Sequence, residues 1–204
     1  MIVFACIAPH APIFLPTIGS EQDRMTVKKT IDCLELLGKK LKDAKPDSII
    51  ISSPHKDWGF NVPLYFLAPD FKGNIETYLT GLESPAFYFK EGKKAYDLKI
   101  KNSKLKIGLV ASGDMSHVLK EDGPYGFHPE GPRFDKELIE ALKRKDIAKI
   151  LRLDDDYPEA ADCGLGSFSF LLGMIDAHSK KWQAEILSYE GPFGVGYLVV
   201  NFKL

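Results

Sequence analysis

Cysteine is scarce in this sequence of 204 residues, and the three cysteines, Cys6, Cys33 and Cys163, lie far apart along the chain. Their odd number and wide spacing argue against a disulfide framework and against a zinc site built from cysteine pairs, because both need paired cysteines at characteristic spacings. We therefore expect reduced thiols and a cytoplasmic protein.

Net charge and long apolar runs are also missing. The 27 basic and 28 acidic side chains leave a formal net charge of −1, so no electrostatic reason favours a nucleic acid or an anionic membrane as partner. No apolar run approaches the roughly 20 residues that cross a bilayer, and the apolar N-terminus lacks the positive region of a signal peptide. Without repeats or low-complexity linkers, the chain is expected to form one domain over residues 1–204.

Continuous apolar runs, which predict buried strands, alternate along the chain with the spacing of amphipathic helices. Strands are predicted over residues 1–8, 48–52, 62–67, 74–79, 105–112, 183–189 and 195–202, the last two as a hairpin. Helices are predicted over residues 22–41, 134–144, 146–153 and 164–178. This alternation indicates the α/β class, as a single domain with a mixed central β-sheet flanked by helices.

Three of the five histidines follow predicted strands. His10 comes after the first strand, His55 after the second, and His117 lies a few residues beyond the strand that ends at Ser112. In an open α/β sheet the ligand crevice lies outside the carboxyl ends of the strands, so these imidazoles can converge on one point. A single histidine there is more often a turn residue, but three together predict a shared site. Imidazole binds zinc, iron, copper and nickel, and two imidazoles with one carboxylate form the facial triad of non-haem Fe(II) oxygenases.

Several residues late in the chain are candidates for a third ligand. Asp162 and Cys163 stand at the start of the last predicted helix, where a carboxylate also meets a favourable helix dipole. The alternative for Asp162 is a purely structural role there as a helix N-cap, which is the more usual role of an aspartate at this position. Glu190, in the predicted hairpin connection, and Glu159 are further candidates. The residues alone leave these alternatives open.

A family resemblance rests on six motifs taken in order: APHAP, SIIISSPH, SGDMSH, GPYGFHPEGPRFD, DCGLGSF and SYEGPFGVGY. Together they resemble the catalytic subunits of class III extradiol ring-cleavage dioxygenases (LigB-like proteins), in the compact branch related to the Memo proteins. The resemblance covers nearly the whole chain. It implies Fe(II), or alternatively zinc, held by His10, His55 and a third ligand, for which we favour Asp162. It also implies that His117 is the catalytic acid–base. Memo-like relatives have a cysteine, here Cys163, at the position where the dioxygenases have their third ligand.

A further histidine, His128, lies in the loop GPYGFHPEGP, which is rich in glycine and proline. This loop follows SGDMSH closely enough to fold over the same crevice. His128 is predicted to contact the substrate or to support the catalytic residues there, with a structural loop role as the alternative. Tyr125 and Phe127 would form an apolar wall beside it.

The expected function is oxidative cleavage of a catechol-type aromatic ring. The metal would hold the diol and O2, and His117 would take a proton from the diol and return it later, because histidine is the side chain best suited to exchange protons near neutral pH. The expected partners are a small aromatic substrate and O2, and self-association into a homo-oligomer stays open.

Two other functional classes compete with a ring-cleavage dioxygenase. One is a non-catalytic Memo-like protein that binds metal or peptide, favoured if Cys163 is the ligand, and the other is a metal-assisted hydrolase.

Overall fold

The computed structural model describes all 204 residues and contains six β-strands and eight α-helices. The strands are β1 (Ile2–Ala8), β2 (Ser48–Ser53), β3 (Asn74–Leu79), β4 (Ile107–Ser112), β5 (Gln183–Glu190) and β6 (Tyr197–Lys203). The helices are α1 (Glu21–Thr26), α2 (Lys28–Ala44), α3 (Trp58–Leu67), α4 (Pro85–Ala95), α5 (Glu130–Arg144), α6 (Ile147–Ile150), α7 (Leu153–Asp156) and α8 (Leu165–His178). None of these helices combines the length and the apolarity that crossing a membrane requires.

The sheet is mixed, as the sequence predicts. Its strands lie in the order β3-β2-β4-β1-β6-β5. The first four are parallel to their neighbours, whereas β6 runs antiparallel to β1 and β5 runs antiparallel to β6. The carboxyl ends of β2, β4 and β1 therefore lie side by side, and residues that directly follow these strands share one edge of the sheet.

Helices cover both faces of the sheet. Along β1, Ala5 and Ile7 belong to the core that includes α5 and α8, while Phe4 and Cys6 belong to the core that includes α2 and α3. Burial on both faces explains why β1, β2 and β4 are largely apolar instead of alternating with polar residues. The nearly complete burial of α8 agrees with its mostly apolar sequence, which has no polar face.

One predicted strand is wrong, because residues 62–67 belong to α3. A short apolar run carries no period that distinguishes a strand from a buried helix. Two predicted helices are each divided in two: 22–41 corresponds to α1 and α2, which meet at Val27, and 146–153 covers the short α6 and the start of α7. Helix α4 was missed, as was the π-helical turn Tyr96–Ile100 that extends it.

Candidate metal centre

The donor atoms of His10, His55 and Cys163 lie together, all within 4.8 Å of one another. His10 follows β1, His55 follows β2, and Cys163 precedes α8. The Cys163 Sγ is 3.5 Å from His10 Nε2, and the rings of His10 and His55 meet edge-on with centroids 5.2 Å apart. The structure thus brings the two strand-end histidines together and adds a thiol from the start of α8.

This donor set fits a metal ion. With metal–nitrogen bonds of about 2.05 Å and a metal–sulfur bond of about 2.3 Å, a tetrahedral ion separates a nitrogen from a sulfur donor by about 3.6 Å. The distance between His10 Nε2 and Cys163 Sγ is 3.5 Å. Imidazole and thiolate together suit zinc, copper and iron, whereas magnesium and calcium prefer oxygen donors. Three protein donors would also leave a tetrahedral ion one open position.

Hydrogen bonds around His10 present its Nε2 towards Cys163. Because Pro63 has no N–H, the carbonyl of Gly59 lacks its helical partner and accepts the hydroxyl of Ser112 instead. With that hydroxyl proton engaged, the Ser112 oxygen accepts the Nδ1–H of His10, 2.9 Å away. The lone pair on Nε2 is then free, which is the tautomer that binds a metal through Nε2.

Burial controls the charge of the grouped donors. His10 is 2% exposed, and desolvation lowers its pKa to about 3, with further lowering by the nearby charges of His55 and His117. Burial, followed by the Asp114 carboxylate, raises the pKa of the Cys163 thiol well above its ordinary value. The imidazole is therefore neutral and ready to bind, whereas the thiol must release its proton when it becomes a ligand.

Asp114 is a residue of this site that the sequence analysis missed. Its carboxylate accepts the backbone N–H of His10 (3.0 Å) and lies 3.8 Å from His10 Nε2, while its own N–H donates to Cys163 Sγ (3.4 Å). Burial raises the pKa of Asp114 to about 6, against the opposing effect of the His10 hydrogen bond. A signal was available in SGDMSH, because Asp114 stands two residues beyond β4, at the edge that carries the histidines.

Asp162, the ligand favoured from the sequence, lies outside the group of donors. Its carboxylate accepts the N–H of Leu165 (2.8 Å) and so caps the first turn of α8. Burial raises the pKa of this carboxyl to about 6. Because adjacent side chains leave the backbone in different directions, Cys163 meets the histidines while Asp162 meets the helix. The ligand role of Asp162 stays a prediction that the geometry does not favour.

The two other candidate carboxylates also have different contacts. One oxygen of Glu190 accepts both the backbone N–H (2.9 Å) and the hydroxyl (2.5 Å) of Thr30, and thereby caps the start of α2. Glu159 is exposed, and its N–H donates to the carboxylate of Glu130 (2.8 Å). Neither carboxylate belongs to the group of donors around His10.

His117 lies beside the donors without belonging to their group. Its Nδ1 is 2.6 Å from the carbonyl oxygen of Ala161. A carbonyl only accepts, so Nδ1 carries the proton and Nε2 is free to accept one. The charge of His117 contributes to the lowered pKa of His10, and the ring of Tyr125 meets the imidazole edge-on at 5.3 Å. This is the arrangement of a group that can exchange protons near a metal without binding it.

His128 lies in the loop that follows, between β4 and α5. Its side-chain Nδ1 accepts the backbone N–H of Glu130 (3.4 Å), and its backbone N–H donates to the carbonyl of Val118 (3.0 Å). Both contacts are local and shape the loop ahead of α5. His128 is not among the grouped donors, and its role in catalysis stays a prediction.

Comparison with known proteins finds a relative in sequence and solved structures of similar fold. Protein CA_C1420 of Clostridium acetobutylicum is 28% identical over an alignment 267 positions long, which covers 97% of this chain and 56% of the relative. This chain therefore spans about half the length of that protein. The structure described as uncharacterized protein JW3007 from Escherichia coli K12 matches with a TM-score of 0.64 at 16% identity, over 98% of this chain and 99% of its own. At that identity the match shows a shared fold.

A family model gives the assignment. The model described as the catalytic LigB subunit of aromatic ring-opening dioxygenase matches residues 55–200. This segment contains His55, His117 and Cys163, and His10 precedes it. Because the match covers well over half of the sequence, the chain belongs to the LigB family, that of the catalytic subunits of class III extradiol dioxygenases.

Proposed function

We propose that this chain binds one metal ion through His10, His55 and Cys163 and uses it to open a catechol-type aromatic ring with O2. The family and the grouped donors support the metal, and one further observation carries the proposal for catalysis. His117 has its Nδ1–H bound by the carbonyl of Ala161, so that a free Nε2 stands near the donors. A proton acceptor oriented in this way favours catalysis over metal binding alone.

The residues divide the chemistry between them. When bound, the metal supplies a centre at which a catechol and O2 are held next to each other. His117 Nε2 takes a proton from one hydroxyl of the diol, and the Ala161 carbonyl stabilises the Nδ1–H of the imidazolium that forms. The same imidazolium later returns its proton to an oxygen of the opened ring. Asp114 positions His10 through its backbone N–H.

Cys163 is the point at which this chain departs from the facial triad of two histidines and one carboxylate. A thiolate is a softer ligand, so zinc and Cu(I) compete with Fe(II) for such a site. This observation favours a second candidate function, a Memo-like protein that binds a metal without catalysis. Fe(II) is the metal we propose for ring cleavage; zinc, which has no redox chemistry, is the alternative occupant of the site and would fit the other two functions.

Metal content tests the site. The protein is purified anaerobically, and the metal bound per chain is measured for His10→Ala, His55→Ala, Cys163→Ser and Asp162→Ala. We expect about one ion in the unsubstituted protein and in the Asp162 variant, and a severe loss in the other three. His178→Ala is a matched control, because His178 ends α8, about 20 Å from Cys163 by helix length. Unchanged metal content in both histidine variants would end the proposal.

Oxygen consumption tests the reaction. The metal-loaded protein is exposed to a panel of catechols, and O2 uptake and ring-opened products are measured. Bound iron with catechol-dependent O2 uptake would support the dioxygenase. Bound zinc with hydrolysis of an ester or amide and no O2 uptake would point instead to the metal-assisted hydrolase, and copper or zinc without any turnover to the Memo-like protein.

A further inference from the structure

Trp58 is an exposed aromatic residue in contact with the proposed metal centre. Its indole stacks on the imidazole of His55, with ring centroids 5.1 Å apart and planes inclined by 30°. Even so, Trp58 is 46% exposed, whereas the other tryptophan, Trp182, is only 1% exposed and belongs to the core. A large apolar ring that stays half in water beside a proposed ligand contributes little to the packing of the fold.

The turn that carries Trp58 has a strained backbone. Asp57 adopts φ +52° and ψ −99°, a region that residues other than glycine rarely occupy. Next to Trp58 on the other side, a Cβ at Gly59 would collide with the side chains of Ser53 and His55. The chain therefore passes tightly against the end of β2, and this conformation holds the indole at His55.

Positive φ angles occur in two of the loops that form the proposed centre, the one after β2 and the one before α8. Four residues other than glycine have a positive φ, and two of these, Lys45 and Lys145, end helices, where the conformation is common. The other two are Asp57 and Ala161, whose carbonyl binds His117. Strain of this kind persists where the surrounding structure imposes it, and it is concentrated at ligand sites.

We propose that Trp58 is an aromatic platform that binds the planar ring of the substrate beside the metal centre, an inference that rests on the proposed function. Aromatic rings attract one another in offset or edge-on arrangements at centroid separations of about 4.5–7 Å, and an indole offers a broad face for such a contact. Tyr125 provides a second aromatic wall, since it is 66% exposed and lies edge-on to His117. The substrate class is thus a small planar aromatic molecule with two adjacent oxygens that can bind the metal.

Catechol itself is the probe for this platform. It is titrated anaerobically into the iron-loaded protein, so that binding is measured without turnover, and calorimetry gives the dissociation constant. Trp58 is replaced in turn by Ala, Leu and Phe, and the metal content of each variant is measured alongside. Tyr65→Ala is the matched control, because Tyr65 is a 50% exposed aromatic residue of the same helix, two turns farther on. In a Trp182→Phe background Trp58 is the only tryptophan, and its fluorescence reports the contact directly.

We expect Trp58→Ala and Trp58→Leu to weaken catechol binding on the order of 10-fold with unchanged metal content, and Trp58→Phe to stay within about 3-fold of the unsubstituted protein. Tyr65→Ala should have no effect, and catechol should alter the fluorescence of Trp58. Ala and Leu variants that bind catechol as tightly as the unsubstituted protein would overturn the inference. So would a loss of metal in them, because Trp58 would then support His55 and not the substrate. If the unsubstituted protein takes up no iron, the proposed function is wrong, and so is the role of Trp58 that rests on it. If iron binds but the dissociation constant of catechol does not change in the Trp58 variants, only the proposed role of Trp58 is wrong.

Discussion

Two of the three imidazoles to which we assign chemistry are oriented by an oxygen of the protein. His10 Nδ1 donates to the hydroxyl oxygen of Ser112, and His117 Nδ1 donates to the carbonyl of Ala161. In each ring Nε2 keeps its lone pair, and the surroundings separate the two roles. His10 is buried among the grouped donors, whereas His117 is half-buried and outside the group. We therefore assign metal binding to the first ring and proton transfer to the second.

At the scale of the single residue, His117→Gln is expected to keep the metal and to lose turnover. Glutamine can still form hydrogen bonds, but it cannot take up and release a proton near neutral pH, so kcat for catechol cleavage should fall on the order of 10²-fold or more. Turnover and metal content are measured on the same preparation, with His178→Gln as the control. Loss of the metal in His117→Gln would make this residue a ligand and contradict the prediction.

At the scale of the elements, Asp135 joins α5 to two other parts of the fold. One carboxylate oxygen accepts the backbone N–H of Ser116 (2.9 Å) in the segment after β4, and the other accepts the hydroxyl of Tyr189 (2.6 Å) in β5. Asp135 is 1% exposed, and desolvation outweighs these two hydrogen bonds and raises its pKa to about 7. A buried carboxyl that resists ionisation therefore positions Ser116, the residue that precedes His117 in the chain.

The free energy of unfolding should reflect this pKa. The carboxyl of Asp135 has an ordinary pKa of 3.8, and the fold raises it to about 7. Below about pH 4 the group is protonated in both states. As the pH rises from 4 to 7 the unfolded chain ionises first, so the folded state loses stability, and above 7 the loss is complete. At about 1.4 kcal/mol per pKa unit, this loss is on the order of a few kcal/mol.

Asp135→Asn tests this dependence. The amide can keep a hydrogen bond to Ser116 and to Tyr189, and it does not titrate, so it avoids the cost of a buried charge. Relative to the unsubstituted protein, the free energy of unfolding of Asp135→Asn is expected to increase steadily from pH 4 to pH 7. Urea unfolding over this pH range measures the difference, in which the other titrating groups cancel. A difference that does not change with pH would contradict the assignment.

At the scale of the whole molecule, the proposed ligands come from three separate parts of the chain. His10 follows β1, His55 follows β2 on the far side of β4, and Cys163 precedes α8. An ion bound to all three would connect two strands of the sheet to the most buried helix. The unfolded chain has no such preformed site, so binding free energy becomes folding free energy.

Metal binding is therefore expected to stabilise the entire fold. An ion that binds only the native state adds about 2.7 kcal/mol when its free concentration is 100 times Kd. The Tm should rise when metal is added and fall again with a chelator. Cys163→Ser should show a much smaller rise than the unsubstituted protein, whereas Asp162→Ala should show the full rise from a lower starting Tm, because it loses only a helix cap. Equal rises in all three proteins would mean that the ion binds elsewhere.

The sequence by itself determines the framework of this protein. The runs at 1–8, 48–52 and 105–112 are largely apolar, a composition typical of parallel strands buried on both faces, and these runs correspond to β1, β2 and β4. Their order, alternating with helices, predicted the α/β class and set two histidines at strand ends. The run at 62–67 shows the limit of such patterns, since a short apolar stretch suits a strand and a buried helix equally well.

Only the tertiary structure decided which side chains meet. Asp162 and Cys163 are neighbours in sequence, and the first turn of α8 decides which of them contacts the histidines. The backbone N–H of Leu165 donates to the carboxylate of Asp162 there. Cys163 is then left to contact His10, a residue 153 positions away in the chain. Asp114 joins the same site across 104 positions, through the backbone N–H of His10. No local pattern predicts such contacts, because their distances follow from the packing of the whole sheet against its helices.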